Sequence, residues 1–204
     1  SHRHLDHSTD LNVMVEAMTN GGFNRRGRVF APGDCFGPEP VLFSYLKEFI
    51  DGITVLEEGQ SYDIGPVSFS TPVRHVHTVE TYGMTFRTPR HTFSCVTDTR
   101  YFDGLSHYAG SDLLIINMVF TKPIPTVDHL SLPDVERILT ELKPKAAILN
   151  HYGLHVWQAK PPLLAEELAQ STGIRVIAAR DGMKFDLAVL DDKSAFEERA
   201  DGQP

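Results

Sequence analysis

Five side chains that bind transition metals crowd the start of the chain, in "SHRHLDHSTDL": His2, His4, Asp6, His7 and Asp10. Imidazole is the commonest protein ligand for such metals, and carboxylates complement it. In an extended segment His2 and His4 project to the same side, because side chains alternate with a period of two. Asp6 and His7 then fall where the chain turns into a helix, so they face the same point from another direction. A purification-tag remnant would account for "SH" but not for Asp6 and His7 at this spacing.

Three more candidates stand at the ends of apolar, strand-like runs. His77 follows "VSFSTPV", Asp98 ends "TFSCVTD" and His151 ends "AAILNH". A lone histidine or aspartate at a strand end is usually structural. Together with the first segment, however, these residues supply five imidazoles and two carboxylates, enough for two metals with positions left open for water and substrate. His129, in "DHLSLPDV", lies just before a helix start and is a further candidate. Arg74 and Arg100 flank ligand positions and suit a phosphate, or equally a solvated surface. His91, His107 and His155 read as ordinary histidines, although His155 is close enough to His151 to line a pocket.

The elements that must position these residues alternate between strand and helix. "STDLNVMVEAM" reads as a helix with Leu11, Val15 and Met18 on one face, capped by Ser8 or Thr9. "RVFAP" is a short strand. "PEPVLFSYLKEFI" reads as a helix that buries Leu42, Tyr45, Leu46 and Phe49. "VSFSTPV", "YGMTFRT" and "HTFSCVTD" read as strands, and "DLLIINMVF" as a strand buried on both faces. "SLPDVERILTELKP" is a helix with a capping box from Ser131 to Asp134 and a stripe of Val135, Ile138, Leu139 and Leu142. "KAAILNH" is a buried strand, "KPPLLAEELAQSTG" a helix closed by Gly173, and "IRVIAA" and "MKFDLAVL" the last strands. In layered α/β folds, polar residues gathered at strand ends mark the active site.

The chain of 204 residues suits one domain, assigned to 1–191, with a charged tail over 192–204. A net charge of −8, with histidine neutral, argues against a broad surface for long nucleic acid. It leaves room for a small anionic substrate at a local positive site. No apolar run reaches the length of a membrane span, and the first residues lack the apolar core of a signal peptide. Cys35 and Cys95, the two cysteines, sit far apart beside apolar residues, which suits a reduced, cytoplasmic protein.

The order of the motifs resembles that of the metallo-β-lactamase-fold hydrolases. "HRHLDH" is similar to their HxHxDH signature. "HTVETYG" resembles the segment that carries the third histidine in the branch of ribonuclease Z and the phosphodiesterase of the carbon–phosphorus lyase pathway. "TDT", "AILNH" and "AARDGM" resemble the segments of the bridging aspartate, the last histidine and the closing strand. The resemblance covers essentially the whole chain. It implies an αββα sandwich, with His2, His4 and His77 holding one metal, Asp6, His7 and His151 the other, and Asp98 bridging. His77 is preferred to His75 by its distance to Tyr82-Gly83, which leaves His75 supporting or structural. The resemblance also implies that His129 reaches the scissile phosphate or the leaving group, and that a homodimer is possible.

The chain departs from the family pattern in three places. Members carry two or more strands before HxHxDH, so the sandwich is expected to lack its N-terminal strands here. The interval 78–97 between His77 and Asp98 is too short for the basic arm of transfer-RNA-processing ribonuclease Z. Asn117 stands where ribonuclease Z has a carboxylate that pairs with the histidine corresponding to His129. The expected activity is that of a binuclear phosphodiesterase on a small substrate, using a metal-bridging hydroxide. Asp6 would orient that hydroxide and His129 would protonate the leaving oxygen. Two divalent ions are implied, zinc first, with manganese, iron or nickel compatible. Hydrolysis of a thioester, lactone or β-lactam, and diiron redox or oxygen chemistry, are the alternatives.

Overall fold

A computed structural model describes residues 1–191; the tail assigned to 192–204 lies outside the described residues. Two short helices open the chain, α1 (Leu5–Ser8) and α2 (Leu11–Thr19). Strands β1 (Arg28–Ala31) and β2 (Gly52–Val55) pair in parallel as a small sheet. A larger sheet holds β3 (Gln60–Ile64), β4 (Val67–Thr71), β5 (Met84–Arg87), β6 (Thr92–Val96), β7 (Leu113–Asn117), β8 (Ala146–Asn150) and β9 (Arg175–Ala178), in sequential order. Helix α3 (Leu132–Leu142) connects β7 to β8, and α4 (Leu154–Gln158) with α5 (Pro161–Thr172) connects β8 to β9. The expected sandwich is therefore lopsided among the described residues, with two strands facing seven.

Strands β3 to β6 pair antiparallel and β6 to β9 parallel. The apolar run of β7 is explained by burial on both faces. Leu114 and Ile116 pack with Val135, Ile138 and Leu139 of α3 and Leu168 of α5. Leu113 and Ile115 pack on the other side, with Phe185, Leu187 and Leu190. On that side, nearer β1, Phe30 joins Phe69, Tyr82 and Phe86. Strand directions then decide the site. The C-terminal ends of β4, β6, β7, β8 and β9 and the start of β5 all fall on one edge, set by registers such as Met84↔Cys95, Asn117↔Asn150 and Leu149↔Ala178.

Three local readings need correction. The segment around Leu42–Phe49 forms a 3₁₀ turn over Ser44–Phe49 rather than a long helix. At three residues per turn Tyr45 swings outward to 53% exposure, while Leu42 and Leu46 stay buried. "MKFDLAVL" is not a strand. After a turn at Gly182, which has φ +76°, Met183, Phe185 and Leu187 plug one face of the large sheet without pairing to it, and a 3₁₀ turn covers Leu187–Asp191. Such plugging places side chains alternately and imitates strand periodicity. Helix α2 is preceded by Asp10 with no side-chain cap; Ser8 instead closes α1, its hydroxyl donating to the His4 carbonyl at 2.9 Å. The expected pairing of Ser131 with Asp134 is present, the Ser131 N–H donating to the carboxylate at 2.9 Å.

Asp112 ties three strands together where they enter the sheet. Its N–H donates to the Thr92 carbonyl at 2.7 Å, and its own carbonyl accepts from Lys145 and Ala146. Its carboxylate accepts the Thr92 N–H at 2.9 Å and pairs with Lys145 at 2.9 Å. Partial burial pushes its pKa up, but the Thr92 N–H and Lys145 outweigh this and the carboxyl titrates below its ordinary value. Asp112→Ala is expected to cost about 1 kcal/mol in urea unfolding at neutral pH. Because the folded pKa is depressed, that contribution is complete above the unfolded value of about 3.9 and fades as pH falls through the folded one. The gap between wild type and variant should therefore close on acidification.

Candidate metal centre

The first segment is held against the sheet edge by a backbone contact: the Tyr82 N–H donates to the Ser1 carbonyl at 3.2 Å. His2 and His4 follow in extended chain, and α1 then turns Asp6 and His7 back toward the same point. The His2 Nε2 and His4 Nδ1 atoms lie 3.0 Å apart, and His77 Nε2 is 3.1 Å from His4 Nδ1. The His77 orientation is set from behind. Its Nδ1–H donates to the Asp128 carbonyl at 3.0 Å, which leaves the Nε2 lone pair facing the other two rings.

The second set forms around Asp98, only 2% exposed. His7 Nε2 is 3.1 Å from its Oδ2, and His2 Nε2 lies 3.8 Å from the same oxygen. On the other side His151 Nδ1 is 3.8 Å from Oδ1, while His151 Nε2 is 3.1 Å from Asp6 Oδ2. Asp98 thus faces both sets. In each of the groups His2, His4, His77 and Asp6, His7, Asp98, His151, one ligand atom per residue lies within 4.8 Å of all the others. His129 joins a third group with His77 and Asp98, its Nδ1 3.7 Å from Asp98 Oδ2. His151 takes a left-handed conformation with φ +57°, which costs a non-glycine residue about 1 kcal/mol and turns its ring into the cluster directly after β8.

The electrostatics of these side chains suit cations. Burial pushes His2 down to about 3, reinforced by the neighbouring His7. Burial also lowers His77 and His129, so at neutral pH these rings are uncharged and offer lone pairs. For Asp98 burial acts upward, but His7, Asn117 and His151 outweigh it and hold the carboxyl well below the usual range. Two ring nitrogens, His129 Nδ1 and His151 Nδ1, are buried with no hydrogen-bond partner. Orphaned polar atoms of this kind are rare and costly. Divalent metal held by these groups would give the His151 nitrogen a partner and neutralise the buried carboxylate, so the donor set fits the divalent metal that the sequence implies.

Other candidates fall elsewhere. His75 is buried behind the cluster: its Nδ1–H donates to the Asp98 carbonyl at 3.2 Å, and its Nε2 accepts the Tyr108 hydroxyl at 2.7 Å. It positions the Asp98 backbone and offers nothing to a metal. Asn117 does not pair with His129; it donates to Asp98 Oδ1 at 2.7 Å, because the end of β7 sits directly beside that of β6. Arg100 faces Asp128 at 3.6 Å, and Arg74 is exposed with its N–H on Glu58. His155 is exposed on α4, His107 is exposed and bonded to the Gly104 carbonyl, and His91 pairs with Asp191 on a distant part of the sheet. Cys35 and Cys95 are free, both thiols raised to about 11 chiefly by burial. The support from Asp128 and Tyr108 had no signal in sequence spacing, since one acts through its backbone carbonyl and the other through a hydroxyl brought from a distant 3₁₀ turn.

A model of the beta-lactamase superfamily domain matches residues 1–152. The uncharacterised protein MJ1374 of Methanocaldococcus jannaschii is 32% identical over 199 residues, covering 92% of this chain and 72% of its own. The chain belongs to the β-lactamase superfamily. It has the metallo-β-lactamase fold, and membership makes it a metal-dependent hydrolase. Among solved structures it is similar to the metallo-β-lactamase fold protein YhfI from Bacillus subtilis, with a TM-score of 0.75, 20% identity and coverage of 90% of this chain and 74% of that one. It also resembles a diphosphatase from the PhnP family, with a TM-score of 0.68, 22% identity and coverage of 91% and 69%. Zinc-bound PqqB from Methylobacterium extorquens gives 0.64, 14%, 91% and 71%. No helix among the described residues is long and apolar enough to cross a membrane.

Gly83 makes the tight packing behind the cluster possible. A Cβ there would stand 2.2 Å from the Tyr108 hydroxyl, 2.6 Å from the Cys95 carbonyl and 2.8 Å from His75 Cε1. The carbonyl belongs to the sheet and cannot withdraw. Gly83→Ala is expected to destabilise the protein by about 2–3 kcal/mol, measured by denaturant unfolding, through overpacking of this contact.

Proposed function

We propose that the protein is a binuclear phosphodiesterase acting on a small anionic substrate, with zinc as the first candidate metal and manganese, iron or nickel compatible. The observation that carries this reading is the buried Asp98 carboxylate set between two groups of imidazoles. His2, His4 and His77 would hold one ion, Asp6, His7 and His151 the other, with Asp98 shared. Ions in those positions supply hydroxide at neutral pH and draw charge from phosphoryl oxygens. The fold it shares with a diphosphatase of the PhnP family supports phosphorus chemistry. So does the charge balance: two carboxylates against two divalent ions leave a local positive field in a chain of net charge −8.

The chain's own residues would do the rest. The exposed Asp6 carboxylate stands 3.1 Å from His151 and 3.5 Å from His7 and orients the attacking water. His129, half-buried between His77 and Phe120 at the border of the cluster, would hand a proton to the leaving oxygen. Asn117 holds Asp98 in place from the adjacent strand.

Asp98→Ala should remain folded by circular dichroism yet lose bound metal by elemental analysis, and its hydrolysis of bis(p-nitrophenyl) phosphate should fall at least about 100-fold. Near wild-type turnover in that variant would end the two-metal reading. Asn117→Ala should cost about 10- to 100-fold in metal affinity or activity, as expected for a residue that orients a ligand. His129→Ala should slow esters with alkoxide leaving groups more than those releasing p-nitrophenolate, which needs little protonation. An equal loss on both would remove His129 from the role of proton donor.

A further inference from the structure

The edge that carries His151 continues into a surface that the proposed chemistry leaves unused. A cleft of about 350 Å³ is lined by His151, Tyr152, Trp157, Arg180 and Asp181. It adjoins a second, of about 510 Å³, lined by Lys160, Pro161, Pro162 and again Trp157 and Arg180. Trp157 and Arg180 line both, so the two clefts form one path leading away from the metal centre.

Trp157 is the chain's only tryptophan and is 67% exposed. Its exposed face offers a flat surface on which a planar ring can stack. Its base is rigid. Val156 of α4 is fully buried, and Gly153 approaches the Val119 backbone so closely that a Cβ would stand 2.3 Å from its carbonyl oxygen. Beside the ring, the Lys160 ammonium and the Arg180 guanidinium form no ion pair with any described residue. Asp181 is the one carboxylate lining the path. The combination is an aromatic platform with apolar proline and alanine walls and a cationic rim, in a chain whose net charge is negative.

We propose that this double cleft is a specificity subsite that stacks a planar heteroaromatic ring on Trp157 and holds an attached phosphate with Arg180 and Lys160. It rests on the phosphodiesterase reading only for what happens at the metal centre; recognition of the ring is independent of turnover. The subsite defines the substrate class as a small phosphodiester bearing an aromatic group, rather than a plain sugar or alkyl phosphate. Stacking on an aromatic side chain carries about 10- to 100-fold in affinity, and the cationic rim gives the orientation.

The single tryptophan makes the test direct. Adenosine 5′-monophosphate, titrated into the metal-loaded full chain, should quench tryptophan fluorescence saturably. Ribose 5-phosphate at the same concentrations should not, and Arg180→Ala should weaken the adenosine 5′-monophosphate response about tenfold. No quenching, or quenching that Arg180→Ala leaves unchanged, overturns the subsite. As a second readout, Trp157→Leu should raise KM for bis(p-nitrophenyl) phosphate with little change in kcat and no change for dimethyl phosphate; an unchanged KM also counts against it. Saturable, Arg180-dependent quenching without any phosphodiester hydrolysis would sink the proposed activity and leave the subsite standing. Hydrolysis with an unresponsive tryptophan would do the reverse.

Discussion

A buried carboxylate with no cation beside it is among the most costly features a fold can contain, and the site is organised around one. Asp98 is almost wholly removed from water, yet it stays ionised because its neighbours favour the charged form. Asn117 fixes one oxygen and His7 approaches the other, while His75 grips its backbone carbonyl. His75 is in turn held by Tyr108, which packs against Gly83. The chain of contacts runs from the surface cluster into the sheet, so the carboxylate cannot move without disturbing the core. What remains uncompensated is negative charge, and the orphaned His151 nitrogen beside it marks where a cation would fit.

The architecture supplies this arrangement through strand direction. Because β6, β7, β8 and β9 run parallel, the residues that follow them emerge on one edge. Asp98, Asn117, His151 and Arg180 are neighbours for that reason alone. The antiparallel pairing of β4 with β5 and β5 with β6 returns β4 to the same sense, so His75 and His77 arrive at the same edge. The first segment reaches it from outside the large sheet, pinned by the Tyr82 N–H. His151 adopts a left-handed backbone to complete the set, a local strain that the surrounding packing sustains.

On the proposed reading, the same edge is where a negatively charged protein would receive an anion. Its acidic groups are spread over the surface, whereas the carboxylates at the site are committed to imidazoles and to the ions they fit. Along the path past His151, Arg180 and Lys160, which form no ion pair among the described residues, lie beside an exposed indole. Attraction is therefore local, and the long-range repulsion of the whole chain is screened within about 8 Å at physiological salt.

Much of this was legible in the sequence because it depends on short-range rules. The shared side of His2 and His4, the doubly buried run of β7, the capped α3 and the glycine closing α5 each follow from periodicity or turn chemistry within a few residues. The candidate metal-binding side chains were likewise readable as types, because the chemistry of imidazole and carboxylate does not depend on the fold, while their order along the chain carried the family resemblance. Where local rules were ambiguous the reading failed. "MKFDLAVL" alternates because it plugs a sheet face rather than joining the sheet, and the segment around Tyr45 winds as a 3₁₀ turn. Other features were decided by tertiary structure alone. That Asn117 serves Asp98 rather than His129, that His75 braces the site instead of joining it, and that Trp157 and Arg180 face one path are all consequences of strand register. Register is a relation between distant segments set by the packing of the whole core, so no window of sequence contains it.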